Sequence, residues 1–172
     1  MERKELCIIS DSDIPSGSGG INGEGYTYGE LRHQPIITEI LRRITHPIAR
    51  QMAEDCNERN CKDGFTMYKV DGEYCFEGLR VGPKVKIPSK EELLALLENQ
   101  PINAASIRNI TYMLIREELA QLYGTSVQEA ADIIGNQLDC APHEDISGYI
   151  FMVPNWAHKW FRHNGYVSRI LK

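Results

Sequence analysis

Three of the five histidines in this 172-residue chain fall in one stretch near its C-terminus, at positions 143, 158 and 163. Imidazole exchanges its proton near neutral pH and is also a common ligand of divalent metals. A histidine pair on one element, with a third group on a neighbouring strand, is a usual way of holding such an ion. The spacing therefore favours metal-assisted acid–base chemistry in this stretch.

The elements that must carry these histidines can be predicted from the same stretch. An apolar run over residues 149–153, bounded by glycine and proline, is typical of a short buried strand. Asn155 is suited to cap a helix that would end at Gly165. The pattern therefore predicts a strand followed at once by a helix that carries both His158 and His163.

Three short segments in this stretch resemble the core of the HNH/endonuclease VII superfamily, in the form found in bacterial polymorphic toxins. They are His143-Glu144-Asp145, then Met152-Val153-Pro154, then the run from His158 to His163 with Gly165 after it. The resemblance implies a ββα-metal fold and metal-dependent hydrolysis of phosphodiester bonds. It departs from the family in one respect: the family usually has two adjacent histidines at the first position, where this chain has Pro142 before His143.

The resemblance also implies roles for individual residues. His143 would be the general base, and as a residue near a strand end it should contribute little to packing. His158 and His163 would hold one divalent cation, which could be magnesium, manganese or zinc. Asp145 is the preferred third ligand, because oxygen ligands suit magnesium whereas a thiolate would favour zinc. Two other candidates for that third position are Asp139 and Cys140.

A basic C-terminal segment accompanies these residues. The chain as a whole has a net charge of −5, which does not suggest a nucleic-acid-binding protein, but residues 155–172 contain four basic side chains and no carboxylate. A nuclease needs only a local basic surface, because its phosphate contacts are local. Lys159, Arg162 and Arg169 are therefore expected to bind nucleic acid, with DNA favoured over RNA. For a toxin, a cognate immunity protein would be a further partner.

The whole chain is predicted to be α+β, with a mostly helical body, a β-hairpin and a C-terminal ββα-metal motif. Residues 1–30 would form a strand and a glycine-rich loop, residues 31–137 the helical body with the hairpin, and residues 138–172 the metal motif, all within one compact domain. Asp71-Gly72, between two alternating segments, predicts the hairpin. A capping box beginning at Ser89 predicts the start of a helix.

Three further elements are predicted in the body. Residues 102–123 have the pattern of a long amphipathic helix that ends at Gly124, and Ser126 is suited to cap the next helix. Residues 84–87, between two prolines, are predicted to form an edge strand.

Composition limits the location of the chain. No apolar run approaches the roughly 20 residues that cross a bilayer, and the short apolar run after Lys4 is too short for a signal peptide. The expected location is the cytoplasm, or export through a specialised secretion system that needs no such signal. Five cysteines, an odd number, argue against a disulfide framework.

A second hypothesis belongs to a different class of protein. The chain could be a non-catalytic interaction or regulatory protein in which the histidines are structural or incidental. The net negative charge, the many predicted helices and the single histidine at position 143 are compatible with that function. The nuclease hypothesis requires that the imidazoles of His143, His158 and His163 converge on a common point. Imidazoles that point apart would favour the second hypothesis.

Overall fold

The computed structural model describes residues 4–6, 44–60, 68–70, 73–160 and 166–171. Within these ranges only the backbone is described for 4–6, 56–60, 68–70 and positions 156, 159 and 160. The predicted glycine-rich loop lies outside the described residues, as do Arg162 and His163. The first predicted strand is described only at its start, where Lys4–Leu6 form a strand.

The described part of the chain alternates short strands with helices. Its helices are α1 (Pro47–Asn60), α2 (Lys90–Leu97), α3 (Ala104–Tyr123), α4 (Val127–Asp132), α5 (Asn155–Trp160) and α6 (Val167–Ile170). Its strands are β1 (Lys4–Leu6), β2 (Tyr68–Val70), β3 (Glu73–Cys75), β4 (Val81–Lys86), β5 (Cys140–Glu144) and β6 (Tyr149–Pro154). A 3₁₀ turn at Glu77–Leu79 precedes β4, and a π-helical turn at Ile133–Gln137 precedes β5. This arrangement confirms an α+β chain.

The strands form two antiparallel three-stranded sheets, in the orders β1–β2–β3 and β4–β6–β5. In the first sheet Val70 lies opposite Glu73, so the hairpin predicted at residues 71–72 is confirmed by its two strands. In the second sheet β5 and β6 are joined by a tight turn, and α5 follows β6 directly. Two adjacent antiparallel strands are thus followed at once by a helix.

Local signals set several helix ends. Ser89 opens α2 with the predicted capping box, in which its side chain accepts from the Glu92 amide while the Glu92 carboxylate accepts from the Ser89 amide. Asn103 caps α3 in the same reciprocal way with Ser106. Gly124 ends α3 in the left-handed conformation, with φ of 65°, which glycine adopts without steric cost.

The main core lies between one face of the second sheet and helices α1 and α3, which pack against β4. Its fully buried side chains include Met52, Leu79, Val81, Ile115, Ile150 and Phe151. A smaller cluster joins Leu93, Ile107 and Val167 and holds α6 against α2 and α3. Among the described residues, no helix is long and apolar enough to cross a membrane.

Candidate functional site

His143 is the fourth residue of β5 and lies directly opposite Phe151 on β6. Residues paired in this way share one face of a sheet, so their rings lie side by side, with centroids 5.8 Å apart. Phe76 follows β3, and its ring covers that face. The rings of Phe76 and His143 meet edge-on, with centroids 4.6 Å apart. His143 is only 3% exposed. The expectation that this histidine would contribute little to packing is therefore wrong.

Asp145, which follows β5, is completely buried and accepts hydrogen bonds on both carboxylate oxygens. Its Oδ1 accepts from His143 Nε2 at 2.9 Å and from the Phe76 amide at 2.8 Å. Its Oδ2 accepts from the Cys75 thiol at 3.2 Å and from the Ser147 amide at 3.0 Å. The carboxylate thus joins β5 to the end of β3. Buried polar groups with this many partners hold their neighbours in fixed positions.

The charge of Asp145 determines the tautomer of His143. Burial raises the pKa of Asp145, but the hydrogen bond and the charge of His143, with the amides of Phe76 and Ser147, outweigh it and lower that pKa to about 2. An ionised carboxylate can only accept hydrogen bonds, so the proton of neutral His143 must be on Nε2. The lone pair of the neutral ring is consequently on Nδ1.

His158 lies on α5, and its half-buried ring comes next to the ring of His143. The two centroids are 5.3 Å apart and the ring planes are inclined by 73°. Phe76 also lies beside His158, with ring centroids 6.2 Å apart. Ala157, the preceding residue, is fully buried in the main core and fixes the helix against the sheet. The structure therefore brings together two of the three predicted histidines.

A pair of hydrogen bonds between Asp139 and Asn155 joins the start of β5 to the start of α5. The Asn155 amide donates to the Asp139 carbonyl at 2.9 Å, and the Asn155 side-chain amide donates to Asp139 Oδ1 at 2.7 Å. Asp139 has a left-handed backbone, with φ of 49°. Aspartate is one of the few non-glycine residues that adopt this region readily. The pair holds the helix that carries His158 against the strand that carries His143.

Of the predicted metal ligands, the third has the least support from the geometry of the described residues. Within the described ranges, no group of three or more His, Cys, Asp or Glu side chains is arranged to hold a metal. Both oxygens of Asp145 are already engaged, and the Cys140 thiol contacts the Leu138 carbonyl. The role of Asp145 as ligand stays a prediction, but its contacts favour a role in orienting His143. His163 lies outside the described residues.

The His158 imidazole is nevertheless a donor of the right chemistry for a transition metal, and the carboxylate-backed His143 imidazole has the right chemistry for a general base. The carboxylate of Asp145 accepts from His143 Nε2 and so fixes the tautomer and the orientation of that ring. Imidazole nitrogen suits zinc better than magnesium or manganese, which prefer oxygen ligands. These two histidines therefore fit part of the site that the resemblance implies.

The predicted nucleic-acid-binding residues are described only in part. Lys159 lies in α5, but its side chain is not described, and Arg162 is outside the described ranges. Arg169 lies on α6 and is half-buried. This helix packs against α3, where Val167 contacts Ile107.

The contribution of Cys75 and Phe76 was not predicted. Both contact Asp145 from positions about seventy residues earlier in the chain. Neither residue belongs to a motif, and only the three-dimensional contact of β3 with β5 reveals them. Comparisons with family models, with curated proteins and with solved structures found no significant match to the chain.

Proposed function

We propose that the chain is a metal-dependent nuclease that hydrolyses phosphodiester bonds, with His143 and His158 at its centre. The observation that supports this best is the 5.3 Å separation of the two imidazoles, one of them oriented by an ionised carboxylate. The order of two adjacent strands and a helix is also the order that the resemblance to HNH nucleases implies. That resemblance suggests a toxin effector as the biological setting.

In this proposal His143 is the general base. Its Nδ1 takes a proton from the attacking water, and the Asp145 carboxylate stabilises the imidazolium that forms. Asp145 does not touch the substrate and acts by fixing the tautomer and orientation of the ring, so it is a positioning residue. The Cys75 thiol and the Phe76 amide hold the carboxylate in turn.

His158, with His163, would hold the divalent cation. When bound, such a cation supplies stabilisation of the negative charge that develops on the scissile phosphate and the leaving oxygen. Of the two histidines at the proposed centre, His158 is more exposed than His143. Substrate therefore reaches the centre from the side on which His158 lies.

The burial of His143 favours a second candidate function. A histidine that is 3% exposed and packed between Phe76 and Phe151 also fits a purely structural buried pair with Asp145. In that case the chain would be a non-catalytic interaction or regulatory protein. The two functions differ in whether nucleic acid is cleaved and whether a metal is needed.

A cleavage assay tests the proposal. Plasmid DNA and a labelled RNA are incubated with the protein and with magnesium, manganese or zinc, and then with EDTA in excess. We expect cleavage that EDTA abolishes, and its loss in His158→Ala. His46→Asn is the matched control, because His46 is a histidine far from the pair and Asn can replace its contact with the Ile48 amide. If wild type cleaves neither substrate with any metal, the nuclease proposal is wrong.

A further inference from the structure

Three side chains form a row along one side of α3: Arg108, Tyr112 and Arg116. Residues four apart in a helix are neighbours on its surface, and the two arginines are about 12 Å apart along the axis. The Arg116 guanidinium lies over the Tyr112 ring, 5.9 Å from its centroid. A cation over an aromatic face is held there by the charge distribution of the ring. The Arg116 guanidinium is thus held against the Tyr112 ring, and Arg108 lies one turn before that ring on the same side of the helix.

The row lies beside a buried carboxylate on the reverse face of β5. Glu144 follows His143, so its side chain points to the opposite face of the strand, where its Oε1 accepts a hydrogen bond from the Thr111 hydroxyl at 2.8 Å. Burial and the Glu144 charge raise the pKa of Tyr112, while Arg108 and Arg116 lower it. All three charges therefore act on the Tyr112 hydroxyl.

The two arginines are available to a ligand. Within the described part of the chain, no ion pair joins Arg108 or Arg116 to a carboxylate, whereas Arg50 on α1 pairs with Glu54 at 3.1 Å. Helix α6, which carries the predicted nucleic-acid-binding residue Arg169, packs against the same helix α3. The basic side chains of α3 and α6 thus belong to one packed unit.

We propose that Arg108 and Arg116 bind the phosphodiester backbone of nucleic acid. This inference rests on the proposed nuclease function and adds a substrate-binding surface to it. Guanidinium groups bind phosphate through paired hydrogen bonds, and in each strand of a duplex one phosphate occurs for every 3.4 Å or so of rise along the duplex axis. The 12 Å or so between the arginines spans about three to four of them.

The location of the row relates it to the histidine pair. β5 is an edge strand of its sheet, in the order β4–β6–β5. His143 lies on one face of this edge and Glu144, beside the arginine row, on the other. A nucleic-acid backbone held by the row passes around this edge and approaches the histidines from there.

The test is a binding measurement without cleavage. Fluorescence anisotropy of a labelled DNA oligonucleotide is recorded in EDTA over a range of salt concentrations, for wild type and for the double variant Arg108→Gln, Arg116→Gln. Each lost phosphate contact should reduce the slope of log K against log salt by about 0.9 for a duplex and about 0.7 for a single strand. Arg50→Gln should retain the wild-type slope, and Arg108→Lys with Arg116→Lys should retain most of it, because the charges remain.

The outcomes separate this inference from the nuclease proposal. If wild type binds and cleaves while the double variant binds with the same affinity and salt slope, the binding surface is wrong and the nuclease proposal stands. If wild type binds without cleaving and the double variant loses binding, the surface is supported and the nuclease proposal fails. If wild type binds no oligonucleotide at low salt, the binding surface is wrong, and the cleavage assay with metal decides the nuclease proposal separately. Thermal melts establish that each variant is folded.

Discussion

The His143 ring lies between the Asp145 carboxylate and the His158 ring, although the three residues come from a strand, a turn and a helix. Its Nε2 is 2.9 Å from Asp145 Oδ1, and its ring centroid is 5.3 Å from that of His158. The carboxylate is ionised and accepts from Nε2, so in the neutral form of His143 the proton is on Nε2 and the lone pair on Nδ1. One element thus orients the imidazole, and another places a second imidazole beside it.

Replacing His143 by Ala should both abolish cleavage and destabilise the protein. The side chain is buried between Phe76 and Phe151, so its removal leaves a cavity and an unpaired acceptor on Asp145. We expect a loss of about 2–4 kcal/mol in the free energy of unfolding, measured by urea denaturation. The control variant His46→Asn should lose much less of its free energy of unfolding. A His143→Ala variant as stable as wild type would show that the packing described for this ring is incorrect.

The stability of the protein should fall in acid through Asp145. Its folded pKa of about 2 lies below the ordinary value of 3.8. A carboxyl with a lowered folded pKa stabilises the fold above its unfolded pKa, and this stability is lost as the pH falls through the folded value. About 2 kcal/mol should therefore disappear between pH 4 and pH 2 or so.

Asp145→Asn checks this assignment. The variant should be less stable at neutral pH, because an amide cannot accept all the hydrogen bonds that the carboxylate accepts. Its unfolding free energy should also change less between pH 4 and pH 2 than that of wild type. Glu117→Gln, which removes an exposed carboxylate on α3, should keep the wild-type pH dependence. If Asp145→Asn and wild type lose the same unfolding free energy between pH 4 and pH 2, Asp145 is not the source of the loss.

The hydrogen bonds between Asp139 and Asn155 should matter for both stability and cleavage. Asp139→Ala removes the side-chain acceptor and places alanine in a left-handed conformation, so we expect a loss of about 1–3 kcal/mol. Cleavage should decline as well, because α5 loses part of its attachment to β5. Asp139→Asn is the matched control, since asparagine keeps an acceptor oxygen and tolerates the same backbone. Circular dichroism melts and initial cleavage rates measure the two effects. If Asp139→Ala and Asp139→Asn have similar melting temperatures and cleavage rates, the hydrogen bonds of Asp139 do not hold α5 in place.

Features governed by local backbone rules could be predicted from the sequence. The hairpin at residues 71–72, the capping box at Ser89 and the helix end at Gly124 are all found, because each depends on a few adjacent residues. The strand over residues 149–153 and the helix after it are also found. Asn155 begins that helix, but its side-chain amide donates to Asp139.

The contacts that orient the site could not be predicted in this way. The sequence predicts Asp145 as a metal ligand because oxygen ligands suit magnesium, and this says nothing of the hydrogen bonds that its carboxylate accepts. Its partners Cys75 and Phe76 are distant in sequence and carry no motif. The helical pattern of residues 102–123 predicts the buried face of α3 but does not distinguish the arginine row from other charged side chains of that helix. The nearby buried Glu144 is held by Thr111 of the same helix, a contact that joins positions 33 residues apart in the chain.

Metal-linked stabilisation tests most directly whether His158 belongs to a metal centre. Melting temperatures of wild type, His158→Ala and His46→Asn are measured at pH 7.5 in increasing zinc, manganese or magnesium, and again below pH 6. We predict that at least one metal raises the melting temperature of wild type and His46→Asn in proportion to the logarithm of its concentration, but not that of His158→Ala. The shift should disappear below about pH 6, because imidazole binds metal only when neutral. Identical behaviour of wild type and His158→Ala with every metal would contradict the metal centre.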